Sequence, residues 1–144
     1  MNEPRFIEIE DLKPDYLEAI NRLISQLSTS SHTLTEAELN SLIVSPQSHL
    51  YALEYDEKII GMVTLCIYQC PTGRKAWIED VVVDQNYRGK GYGKVMIDKV
   101  IALCRNKGNM TLMLTSRPSR IVANQLYQSL GFEKRETNVY KMKF

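Results

Sequence analysis

The chain has 144 residues, enough for one domain with a real core and too few for two comfortable ones. Lys plus Arg number 18 and Asp plus Glu 17, a net charge of +1 that excludes nucleic-acid binding by bulk electrostatics and leaves one local basic patch at Arg88, Lys90 and Lys94. No apolar run approaches the ~20 residues needed to span a bilayer, the first ten residues carry charges and no long apolar core, so no signal peptide is expected there, and Cys66, Cys70 and Cys104 lack metal-ligand spacing. Reduced, buried thiols, no metal, no membrane and a cytoplasmic location are therefore expected.

Phe6 and Ile9 mark a short first strand. Pro14 opens a helix in which Leu17, Ile20, Ile24 and Leu27 recur at three- and four-residue steps, the spacing of one buried face. Ser28 to Thr33 is small and polar, hence a loop. Thr35-Glu36-Ala37-Glu38 has the form of a capping box, starting a short helix that carries Leu39, Leu42 and Ile43 and stops before Pro46. Leu50–Tyr55 and Ile59–Tyr68 read as a hairpin across Asp56-Glu57-Lys58, and Lys75–Val83 as a further antiparallel strand. Val95, Met96, Val100, Leu103 and Cys104 then form an amphipathic stripe ending near Gly108. Met110–Thr115 is a strand, and strand–helix–strand implies a right-handed crossover and a parallel pair. A helix bearing Ile121, Asn124, Gln125, Tyr127 and Leu130 closes at Gly131, and Phe132–Lys134 with Val139–Phe144 read as a last pair of short strands. The fold class is α/β, one mixed domain over residues 1–144 without repeats.

The chemistry concentrates between Glu79 and Lys94, where a valine strand meets a basic glycine turn and then a helix. Unpaired N–H groups at a helix start suit an anion, a diphosphate best of all. The P-loop is excluded, because Gly93-Lys94 is followed by Val95 rather than Ser or Thr, and a dinucleotide fingerprint fails because Lys94 stands where its last glycine is needed. The pattern that fits is Arg88-x-x-Gly91-x-Gly93 between strand and helix.

With Asn124-Gln125-Leu126-Tyr127 and Gly131-Phe132 downstream, the stretch from Trp77 to Phe132 resembles the GNAT superfamily of acyl-CoA-dependent N-acetyltransferases. The resemblance implies a mostly antiparallel sheet with a central splayed parallel pair, flanked by helices. It also implies acetyl-CoA as cosubstrate, with its diphosphate on the backbone of Arg88, Gly89, Lys90, Gly91, Tyr92, Gly93 and Lys94. Its pantetheine would lie along Val81, Val82 and Val83 as a pseudo-strand, and Asn124 and Tyr127 would also contact it. Homodimers occur in the family, though no interface is legible here.

The family position of Tyr127 makes it the general acid toward the departing thiolate. Glu79 and Asp80 are the candidates for base or amine anchor. As neighbours on a strand they should face opposite ways, with Glu79 sharing a face with Val81 and Val83. Glu-Asp-Val-Val-Val with Arg-Gly-Lys is also similar to glucosamine-6-phosphate N-acetyltransferases. Arg117 and Arg120 follow the parallel strand and suit CoA or an acidic acceptor, or remain solvated charges. His32 lies in the polar loop where the family often meets its acceptor. The expected reaction is direct acetyl transfer to a primary amine of a small metabolite in a ternary complex. A protein or peptide acceptor, and a non-catalytic acyl-CoA-binding module, stay open as alternatives.

Overall fold

Alternating apolar residues in the first half of the chain become a meander of long strands. The computed structural model describes residues 3–27 and 32–144. Its sheet contains β1 (Arg5–Glu8), β2 (Ser48–Tyr55), β3 (Lys58–Cys70), β4 (Gly73–Val83) and β5 (Met110–Met113), in that spatial order. Neighbours from β1 to β4 are antiparallel, and β5 joins β4 in parallel. The β2–β3 turn is tight because Asp56 and Glu57 both adopt positive φ, 49° and 62°, the twist-matched geometry of a two-residue hairpin. Lys58 belongs to the strand rather than to the turn.

Three helices pack on this sheet: α1 (Pro14–Ile24), α2 (Glu36–Val44) and α3 (Tyr92–Lys107). The capping box forms as read, with Thr35 Oγ1 accepting from the Glu38 N–H and Glu38 Oε1 from the Thr35 N–H, both at 3.1 Å. The buried face of α1 is Ala19, Ile20 and Leu23, with Leu17 and Ile24 at its margins. It is rotated from the expected stripe toward Ala19 and Leu23, and Leu27 packs from the turn that follows the helix end at Ile24. Leu23 and Leu39 join Ile9, Leu50, Ala52, Met62 and Val82 in one core, each fully buried aliphatic side chain contributing roughly 1.5–3 kcal/mol. Ser28–Ser31, within the polar loop, lie outside the described residues.

The described residues up to Leu114 form one compact unit holding the whole sheet and α1 to α3, and Thr115–Phe144 form a second. In the second, α4 (Ile121–Ser129) is closed by Gly131 at φ 104°, and the Phe132 N–H bonds back to the Tyr127 carbonyl at 3.0 Å. The expected final strand pair is not formed: residues 132–144 are irregular, with Val139, Tyr140, Met142 and Phe144 exposed. Alternation of Lys141 and Lys143 with Met142 and Phe144 makes a strand only where an edge supplies its hydrogen bonds. The expected burial of the thiols also holds only in part. Cys104 is buried in α3, whereas Cys66 and Cys70 are half-exposed on β3, and all three are free.

Candidate functional site

The parallel partnership of β4 with β5 ends at Trp77, opposite Met113. From Ile78 to Val83, β4 keeps β3 on one side and, among the described residues, has no strand on the other. A row of backbone N–H and C=O groups is thereby left without a strand partner, a ready edge for an extended ligand.

The same stretch carries a bulge. Glu79 pairs with Thr64 and Val82 with Met62, so Val63 alone stands opposite both Asp80 and Val81. Asp80 occupies the left-handed region at φ 51°, the backbone signature of an inserted residue. This corrects the expected alternation: Glu79 shares a face with the core residue Val82, not with Val81 and Val83. Both carboxylates are solvent-exposed. Partial burial, and then the neighbouring Asp80 charge, raise the Glu79 pKa above the usual carboxylate value.

At the end of β4, Asp84 caps a single 3-10 turn, Gln85–Tyr87, by accepting the Asn86 N–H at 3.0 Å. Gly89 (φ 79°) and Gly91 (φ 81°) then take left-handed conformations that a side chain would strain. No protein atom lies within 4 Å of where a Cβ would sit at either position, so it is the turn that selects glycine here. Gly91 is the N-cap of α3, and its carbonyl accepts the first helical bond, from Val95 at 3.1 Å. The N–H groups of Tyr92, Gly93 and Lys94 lie in the helix's first turn, without intrahelical acceptors, and the helix dipole adds positive potential.

The charged side chains of this turn are already oriented. Arg88 Nε donates to the Val83 carbonyl at 2.9 Å, which engages that edge carbonyl and leaves the Nη groups for an anion. Lys90 lies over the Tyr87 ring, its Nζ 5.6 Å from the centroid, and Lys58 lies 5.8 Å from the same centroid. Lys94 pairs with Asp98 along the helix at 2.8 Å. Val82 keeps its side chain in the core and pairs with Met62 of β3.

Asn124, Tyr127, Arg117 and Arg120 all belong to the second unit. Asn124 Nδ2 donates to the Arg117 carbonyl at 2.9 Å, and its own N–H donates to the Arg120 carbonyl at 2.9 Å, so Asn124 fixes the entry to α4. Tyr127 is buried, edge-on to Phe132 with centroids 6.1 Å apart. His32 Nε2 lies 2.9 Å from Glu38 Oε2, which ties it to the first turn of α2.

Sequence reasoning missed Asp84 and Arg22. Asp84 is 1% exposed, and its Oδ2 accepts from Arg22 Nε at 3.2 Å. Asp84-Gln85-Asn86 has the form of an Asx turn, a signal that was available. Nothing in the sequence joins it to Arg22, because only the fold brings α1 to the end of β4. Among the described residues no group of carboxylates, histidines or cysteines suited to a metal ion occurs, and no helix is long and apolar enough to cross a membrane.

A mostly antiparallel sheet with one parallel pair, β4 running through a glycine turn into α3, defines an α/β class of fold. The profile of the Acetyltransferase (GNAT) family matches residues 10–132, and the chain belongs to that family. It is 38% identical over 82 residues to a glucosamine 6-phosphate N-acetyltransferase of Trypanosoma brucei brucei, covering 55% of this chain and 54% of that protein. Human N-acetyltransferase 8B is 32% identical over 89 residues, covering 60% of this chain and 39% of the relative. The chain thus spans about half or less of the length of these two relatives. An aminoglycoside N-acetyltransferase solved in complex with CoA superposes with a TM-score of 0.79 at 20% identity, over 99% of this chain and 96% of that one. At that identity the likeness is one of fold.

Proposed function

We propose that residues 1–144 act as one N-acetyltransferase, moving the acetyl group of acetyl-CoA to a primary amine of a small metabolite within a ternary complex. The observation that carries this reading is the free edge of β4 running into the left-handed Gly89–Gly91 turn at the start of α3. An extended amide chain can bond the edge around Val81, and a diphosphate can take the N–H groups of the turn. The CoA complex of the aminoglycoside enzyme supports that cosubstrate. The trypanosome relative supports a small amine such as an amino-sugar phosphate.

In this reaction the amine nitrogen attacks the thioester carbonyl, the C–N bond forms and the C–S bond breaks. Glu79, or Asp80 beside it, takes the proton the amine loses, directly or through water. A backbone N–H near Val81 faces the developing oxyanion. Tyr127, carried over from the family pattern with Asn124 as a ligand-orienting amide, returns a proton to the thiolate.

The test is a panel of primary amines, amino-sugar phosphates included, with released CoA read by a thiol reagent and acetyl-CoA binding read by calorimetry. CoA release with one amine class, and binding abolished by Gly91→Val, are expected. Binding unchanged in Gly91→Val would overturn the assigned anion site. Acetylation of peptides but not metabolites would move the acceptor to protein, and binding without turnover on either would leave an acyl-CoA-binding module.

A further inference from the structure

Arg22 in the last turn of α1 and Gln26 just beyond the helix hold the residues that lead into the glycine turn. Arg22 donates from Nε to Asp84 Oδ2 at 3.2 Å and from Nη2 to the Ile59 carbonyl at 2.6 Å. Beyond the helix end, Gln26 Oε1 accepts the Gln85 N–H at 2.7 Å. Asp84 is the one buried charged residue among the described residues. Its Oδ1 accepts from the Asn86 N–H, its own N–H donates to the Ile60 carbonyl at 2.7 Å, and its carbonyl accepts from Tyr87 at 2.8 Å.

Apolar side chains would join a helix to a strand end at least as firmly as a buried ion pair does. What the polar pair adds is registry, because its directional bonds permit one placement of α1, β3 and the residues after β4. From Asp84 the chain passes through the single turn Gln85–Tyr87 to Gly89 and Gly91. On the far side Arg88 is tied back to Val83. A shift of Asp84 is therefore passed on to the backbone that would face the diphosphate.

We infer that Arg22 is a positioning residue for the anion-binding turn, acting through Asp84 to hold the Gly89–Gly91 backbone at the spacing that grips the acetyl-CoA diphosphate. The inference rests on the cosubstrate reading above.

The test is a double-mutant cycle of Arg22→Met, Asp84→Asn and the two combined. Acetyl-CoA affinity is read by calorimetry, KM and kcat are read separately, and a melting curve is taken for each variant. Each single variant is expected to raise the Kd and KM for acetyl-CoA on the order of tenfold to a hundredfold, the scale of a displaced binding group. In folded protein kcat should stay within about twofold, because the reacting groups are elsewhere. The double variant should lose little more than either single one.

A folded Arg22→Met protein with parental affinity, or losses that simply multiply in the double variant, would overturn the inference. If Arg22→Met does not fold, Arg22→Lys, which keeps the charge without the fork, is judged by the same criteria. A parent that binds no acetyl-CoA would overturn the cosubstrate reading and this inference with it. A parent that binds, beside an unaffected Arg22 variant, would overturn this inference alone.

Discussion

Glu79 and Val82 lie on one face of β4, opposite Thr64 and Met62, because Asp80 and Val81 together stand against the single residue Val63. The bulge therefore decides where the Glu79 carboxylate points. The backbone turn is made at Asp80, one of the residues other than glycine with positive φ. Asp and Asn tolerate that conformation and a β-branched residue does not.

Asp80 thus has a backbone role separable from its charge. Asp80→Asn should leave stability within about 0.5 kcal/mol, whereas Asp80→Val should cost on the order of 1–3 kcal/mol for the strained conformation. Urea unfolding of the two variants checks this. Equal stabilities would remove the bulge as the reason for an aspartate there.

The raised pKa of Glu79 fixes the sign of two pH effects. If Glu79 is the base of the proposed reaction it must be ionised, so kcat/KM should fall as pH drops through its raised folded pKa. Glu79→Gln should flatten that acid limb and lower the rate roughly 10²–10⁴-fold, while Asp80→Asn keeps the limb. In stability the sense is opposite. A folded pKa above the unfolded one means stability declines as pH rises from the ordinary carboxylate value to the raised one. Glu79→Gln should remove that decline, and pH–rate profiles with denaturant titrations at matched pH would show both.

Asp84 runs the other way. Burial alone would raise its pKa, but the Asn86 N–H and the Arg22 guanidinium outweigh burial and hold it below the usual range. Its contribution is complete above the unfolded carboxylate pKa and is lost as pH falls through the depressed folded value. Asp84→Asn should be less stable than the parent by about 1.5–3 kcal/mol near neutrality. The gap should close in strong acid, and urea midpoints across that range measure it. A gap independent of pH would mean that shape rather than charge holds the site.

Tyr127→Phe keeps the ring that packs on Phe132 and removes only the hydroxyl. A fall in kcat of about 10²-fold or more with little change in acetyl-CoA KM is expected of a lost general acid. Parental kcat across the amine panel would withdraw that role from Tyr127.

The strands, the capping box and the glycine turn were legible because each is a local pattern: period-two alternation, Thr35 with Glu38, and glycines where φ is positive. The bulge at Asp80 was not, since Glu-Asp-Val-Val-Val reads as unbroken alternation until β3 supplies one residue too few opposite it. Arg22 and Asp84 stayed hidden for a related reason, because their meeting depends on how α1 lies against the sheet. The tail after Phe132 misled, because Val139–Phe144 has the composition of a strand and strand formation also needs an edge to pair with.

The stretch of β4 from Ile78 to Val83 that lies beyond β5 has a further consequence for the protein in solution. An unpaired edge rich in valine accepts any extended chain, including another copy's. The free carboxylates of Glu79 and Asp80 on that same stretch act as gatekeepers against such pairing. On the proposed reading, a bound pantetheine arm would serve the same end. Protein stripped of cosubstrate should then be the form most prone to self-association, and saturation with CoA the simplest means of keeping it dispersed.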